Sequence, residues 1–188
     1  MQAKLILFSG LPATGKSTLA GRLARDLKMP LLCIDDVIGD VPQNPDVAFW
    51  DSKVAILLGL MSVQLELGLS VIVDSVFMNK DRYHAREIAR RHKALFLPVY
   101  LYVSDEEVWQ ERVTKRYNEM NVPAVAHWER IQHQRQHFRE WAPGTALFIN
   151  SLDALDRNYE TVLNFVTNEE ASFEPLEEMP LTEGKYHV

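Results

Sequence analysis

The 188-residue sequence contains a single cysteine, Cys33, which excludes a disulfide within the chain and any cysteine-rich zinc site. One thiol suits a reducing cytoplasm, and the fold must be held by its core. Long apolar runs are also missing. The longest, Leu95 to Val103 with Pro98 inside it, is about half of the roughly 18 residues that a membrane-spanning helix needs. No basic start with an apolar stretch and cleavage site opens the chain, so neither export nor membrane insertion is expected. Basic charge is in deficit: 20 Lys and Arg against 26 Asp and Glu leave a net charge of −6. Such a molecule repels polyanions unless its basic groups cluster, which disfavours nucleic acid as a partner.

What is present is ordinary for one globular domain, 47 % hydrophobic and 24 % charged. The one biased tract runs over 168–188, where Glu169, Glu170, Glu174, Glu177, Glu178 and Glu183 stand against Lys185 alone and Pro175 and Pro180 interrupt any helix. That reads as an acidic tail on a domain spanning 1–167, with no internal repeat.

Strands and helices alternate along the domain. Lys4 to Ser9 is an apolar strand, followed by a glycine-bounded turn and by Leu19, Leu23 and Leu27 at helical spacing. Leu31 to Ile34 reads as a second strand, Phe49 to Leu67 as a buried helix ended by Gly68, and Val71 to Val73 as a third strand. A helix over Asp81 to His92 leads to a strand near Val99 to Val103. Ser104 and Glu107 form a capping box opening a helix through Arg116. Val125 to Trp141 forms a helix with Trp128, Ile131 and Phe138 on one stripe; Ala146 to Ile149 is a fifth strand, and Leu155 to Val166 closes the domain. This α/β alternation predicts a central five-stranded parallel sheet with helices on both faces. It also predicts a site in the crevice after Ser9, Ile34 and Val73.

Gly10-Leu11-Pro12-Ala13-Thr14-Gly15-Lys16-Ser17 matches GxxxxGK[ST] between an apolar strand and an amphipathic helix. Glycine lets the backbone curl so that successive N–H groups point inward, and the helix start adds partial positive charge. Gly10, Pro12, Ala13, Thr14, Gly15, Lys16, Ser17 and Thr18 are therefore candidates for binding ATP, with Lys16 on the β- and γ-phosphates and Ser17 on Mg²⁺. Thr18, past the position that the loop presents to the metal, also reads as a helix-packing residue.

Asp74 ends the third strand, where a carboxylate holds Mg²⁺ through water, and Ser75 rather than a hydrolase's glutamate follows it. Asp35 and Asp36 follow the second strand. A carboxylate there can orient an acceptor hydroxyl and take its proton, which makes Asp35 the candidate base and leaves Asp36 the more natural turn cap. Arg112 and Arg116, four apart on one helix face with no matching acidic row, suit an external anion such as triphosphate. Arg130, Arg135 and Arg139 read as surface. His133 and His137 have helical metal spacing but lack HExxH and a third ligand. Trp50, Val54, Leu57 and Met61 read as core. Asn79-Lys80-Asp81-Arg82 and Asp36-Val37-Ile38-Gly39 mimic guanine-nucleotide motifs but have the wrong last residue and the wrong strand, respectively, and read as coincidences.

From Lys4 to Phe148 the chain resembles the P-loop kinase group that includes polynucleotide 5'-hydroxyl kinases, zeta-toxin-like kinases and chloramphenicol-phosphotransferase-like enzymes, within the AAA-type P-loop NTPase superfamily. The resemblance rests on GLPATGKST, CIDDV, VIVDSVF and the ERVTKR arginines before Val122 and Pro123. It implies a three-layer P-loop NTPase fold with a helical lid at about 112–130 and an ATP- and Mg²⁺-dependent kinase acting on a small-molecule hydroxyl. It also implies catalytic roles for Lys16, Asp35, Arg112 and Arg116, with Ser17 and Asp74 at the metal. Ala13 stands where many members have glycine, a mild change if its φ stays negative. Ile38 replaces an acceptor-holding arginine of several members. Alternative readings are an ATP-binding regulatory module that hydrolyses slowly and contacts a partner through its tail, and a nucleic-acid 5'-hydroxyl kinase.

Overall fold

A computed structural model describes residues 2–33, 49–119 and 124–168. Asp35, Asp36, Ile38 and the acidic residues of 169–188 lie outside this set, as do parts of the expected lid. The elements run β1 (Lys4–Ser9), α1 (Lys16–Leu27), β2 (Leu31–Cys33), α2 (Phe49–Glu66), β3 (Val71–Asp74), α3 (Asn79–Arg91), β4 (Leu95–Tyr102), α4 (Glu106–Glu119), α5 (Ala124–His137), β5 (Leu147–Asn150) and α6 (Leu155–Thr167). The five strands form one parallel sheet in the order β2-β3-β1-β4-β5.

β1 lies at the centre, and the alternation of its side chains divides the core. Leu5 and Leu7 face the cluster under α2 to α5, and Ile6 and Phe8 the cluster under α1 and α6. Both faces are covered, so the strand is apolar without alternation from Leu5 to Phe8. Each fully buried leucine contributes about 1.5 to 3 kcal/mol of transfer free energy. α1 rides on this platform through Leu19, Ala20 and Leu23. Among the described residues, no helix is long and apolar enough to cross a membrane.

Three of the differences from the expected element boundaries have a clear structural cause. β4 starts at Leu95 rather than near Val99, because pairing with β5 begins only at Val99 and Pro98 interrupts no ladder on that side. The cap of α4 is Asp105, whose Oδ1 accepts from the Val108 N–H at 3.0 Å; Ser104 Oγ instead accepts from Asn150 Nδ2 at 2.9 Å. α5 ends at His137, so Phe138 and Trp141 are buried from the chain beyond the helix.

Candidate active site

The chain moves from one side of β1 to the other between β3 and β4, and the loop after β1 lies at this switch point, where open α/β sheets bind ligands. The loop has the backbone of a phosphate cradle. Gly10 (φ 146°) and Gly15 (φ 89°) take conformations that favour glycine. A Cβ on Gly10 would stand 2.3 Å from the Leu101 carbonyl oxygen. Ala13 also has positive φ, 61°, so the substitution for glycine is not the mild one expected from a negative φ. Gly15 leaves the N-terminus of α1 without a side-chain cap, open to an anion.

Lys16 is buried and donates from Nζ to the Leu11 carbonyl at 3.0 Å, alongside Thr14 Oγ1 at 2.8 Å. Ser17 and Thr18 are exposed, so Thr18 is not the packing residue of the alternative reading. With Ala13, Gly15, Lys16, Arg112 and Arg116 they line a cleft of about 350 Å³. Arg112 closes this cleft, donating from Nη1 to Ser151 Oγ at 2.7 Å and from Nη2 to the Ser151 carbonyl at 3.0 Å.

A second, adjoining cleft of about 490 Å³ shares Lys16, Ser17 and Arg116 with the first and adds Cys33, Asp74 and Ser75 on one wall and Arg130, His133 and His137 on the other. Asp74 is buried and accepts a weak hydrogen bond from Cys33 Sγ at 3.8 Å; Ser75 Oγ is buried with no hydrogen-bond partner. A carboxylate, an exposed hydroxyl and an unsatisfied hydroxyl form an oxygen set that fits hydrated Mg²⁺. His133 and His137 meet edge to face at 5.0 Å.

Several of these residues were not expected in the site. Arg130, His133, Gln134 and His137 line the second cleft because α5 folds back over the loop; their spacing on one helix face, away from Ile131, was the available signal. Trp109 Nε1 donates to the Pro12 carbonyl at 2.9 Å and fixes α4 to the loop. Below it, Arg82 Nε donates to the Phe77 carbonyl at 2.8 Å, and Phe77 itself holds a left-handed φ of 49°. The Arg82 guanidinium lies 4.5 Å from the Phe138 ring and 4.7 Å from that of Trp141, and burial pulls it down to about 10, so it remains a cation at neutral pH. Burial likewise pushes the neighbouring Tyr100 hydroxyl up to about 12. The motif-like Asn79-Lys80-Asp81-Arg82 thus opens α3 structurally, with Asp81 Oδ2 accepting from the Met78 N–H at 3.1 Å.

A family model described as an AAA domain matches residues 5–141. Among solved structures, Chaetomium thermophilum Kti12 in complex with ADP-AlF3 is 20 % identical over 85 % of this chain and 97 % of that one, with a TM-score of 0.66. Mycobacterium tuberculosis APS kinase CysC in complex with AMPPNP and APS is 16 % identical over 89 % and 99 %, with a TM-score of 0.63. A gluconokinase from Sinorhizobium meliloti 1021 is 17 % identical over 88 % and 98 %, with a TM-score of 0.58. At these identities the likeness is one of fold. No curated protein matches the chain in sequence.

Proposed function

Because the chain belongs to the AAA-domain family of P-loop proteins, we propose that it is an ATP- and Mg²⁺-dependent kinase that phosphorylates a hydroxyl of a small, anionic acceptor. The carrying observation is that the two clefts join at Lys16, Ser17 and Arg116, one suited to a nucleoside triphosphate and the other adding Arg130. Arg130 makes no hydrogen bond or ion pair among the described residues and, with His133 and His137, faces the second cleft. The Arg130 charge exceeds what the triphosphate needs, and with the ring N–H groups of the two histidines it suits an acceptor with its own phosphate, sulfate or carboxylate. A volume of about 490 Å³ suits a metabolite rather than a polymer. The shared fold with APS kinase and gluconokinase supports the same reading.

In this scheme Lys16 leaves the Leu11 carbonyl for the β- and γ-phosphate oxygens, and Arg112 and Arg116 cover the transferring group. Ser17 and Asp74 would hold Mg²⁺, which supplies charge neutralisation on the phosphates. The acceptor oxygen forms its bond to the γ-phosphorus as the bond to the bridging oxygen breaks, its proton passes to Asp35, and ADP leaves.

The test is incubation with Mg-ATP and paired acceptor pools, sugar acids against sugars and nucleotides against nucleosides, with ADP and new phosphoesters read by mass spectrometry. A product confined to the anionic pools is expected, falling about 10² to 10⁴-fold in Asp35→Asn, the usual worth of a general base. Arg130→Ala should raise KM for the acceptor and leave KM for ATP unchanged. Equal slow ADP release by both proteins with no phosphoester would refute the kinase.

A further inference from the structure

α2 is apolar on two opposite faces. Val54, Leu57, Met61 and Leu65 are buried against the sheet, whereas Ile56, Leu60, Val63 and Leu67 are 44 %, 38 %, 51 % and 67 % exposed. Their spacing places Ile56, Leu60 and Val63 in one stripe along the helix, which Leu67 extends just past its last residue, Glu66. They are half of the eight large hydrophobics exposed among the described residues, and Leu69 continues the patch past the helix end. Scattered apolar residues on a surface are ordinary, but a contiguous patch marks an interaction site.

Gly59 lies within the stripe. A Cβ there would meet nothing within 4 Å, so no contact inside this chain calls for glycine, which is a poor helix former. Its missing side chain leaves a notch beside Ile56, Leu60 and Val63 where a second helix can approach closely.

We infer that this face is a two-fold interface between two copies of the chain, in which α2 crosses α2 antiparallel at Gly59 and Leu60. A two-fold interface must complement itself, and this stripe does. With the axis between residues 59 and 60, Leu60 of one copy enters the notch at Gly59 of the other, Ile56 meets Val63, and Lys53 meets Glu66 at the ends of the contact. A foreign partner requires no such symmetry, so the pairing of opposite charges at equal distances from the axis selects a second copy. The contact is one helix face wide, small for a stable interface, so the dimer is a weak one.

Sedimentation equilibrium of the full chain over a wide concentration range tests this. A monomer–dimer equilibrium is expected, with Kd raised at least about tenfold by Leu60→Arg at the centre. Gly59→Leu should weaken the dimer similarly by filling the notch, while the monomer unfolds at the same or a higher temperature. Lys53→Glu should weaken it, and Lys53→Glu with Glu66→Lys should restore it. Among the described residues none of these lines either cleft, so ATP binding should persist and report correct folding. A monomeric wild type at every concentration overturns the proposal and leaves the face to another segment or a foreign protein. A dimer indifferent to Leu60→Arg and Gly59→Leu overturns it as well, and a double charge reversal no tighter than the single one overturns the antiparallel register.

Discussion

Arg112 grips Ser151 with both terminal nitrogens, Nη1 on the hydroxyl at 2.7 Å and Nη2 on the carbonyl at 3.0 Å. The serine follows β5, and its Cβ lies 3.7 Å from where a Cβ on Gly15 would be. One guanidinium therefore ties α4 to the sheet directly above the phosphate loop, held in place before any anion arrives.

That preorganisation predicts an asymmetric pair of mutants. Arg112→Ala should lower kcat/KM for ATP by about 10² to 10³-fold, the scale of a lost preorganised donor. Ser151→Ala removes only one of the two anchors and should cost a few-fold. If Ser151 acts through Arg112, adding Ser151→Ala to Arg112→Ala should cost nothing further in steady-state kinetics. Additive losses would give the serine a separate role.

The loop backbone supports two opposite predictions. Gly10→Ala would drive a Cβ into the Leu101 carbonyl and should abolish nucleotide binding in a calorimetric titration, with a clear loss of stability. Ala13→Gly should do the reverse, since alanine at positive φ carries strain that glycine lacks. A gain of up to about 1 kcal/mol, or about 2 to 4 °C in Tm for a chain of this size, is expected by differential scanning calorimetry.

Asp74 is buried, and among the described residues its carboxylate accepts only a weak thiol hydrogen bond. A buried carboxyl group with one weak partner among the described residues costs stability, a cost that bound Mg²⁺ would offset. Asp74→Asn should therefore lower kcat about 10²-fold or more and raise the Mg²⁺ concentration needed for half-maximal rate, while Tm stays equal or rises. Cys33→Ser should leave the Mg²⁺ dependence within a few-fold. Magnesium titrations of initial rate beside thermal unfolding would separate the two residues.

The sheet and the phosphate loop were legible because each has a local signature: near-continuous apolar strands, and glycines at the positions that need unusual φ. The cap of α4 was misplaced by one residue because Ser104 and Asp105 are adjacent and both can cap; only the pull of Asn150 on the Ser104 hydroxyl decides between them. Arg130 reads as ordinary surface, and His137 as half of an incomplete metal pair, because nothing local to α5 says which element it covers. Arg82 was illegible for the opposite reason. Its charge suggests solvent, yet Phe138 and Trp141, over 50 residues further along, stack on it and bury it.

The same buried cluster predicts an alkaline signature. Burial raises Tyr100 from 10.0 to about 12 in the folded state, so between these values the unfolded chain has lost the proton that the native chain keeps. The unfolded state then binds fewer protons, and stability falls as pH rises through this window. Burial lowers Arg82 from the ordinary guanidinium value to about 10; there the unfolded chain holds the extra proton, and stability rises over the same interval. The two opposed effects largely cancel in the wild type. Tyr100→Phe removes the falling branch and, with it, the tyrosinate charge that supports the Arg82 cation. Relative to wild type, it should gain about 2 kcal/mol between about pH 10 and pH 12, measured by urea unfolding at the two ends of the window. A stability difference between the two proteins that does not change with pH would show that the Tyr100 hydroxyl ionises equally in both states.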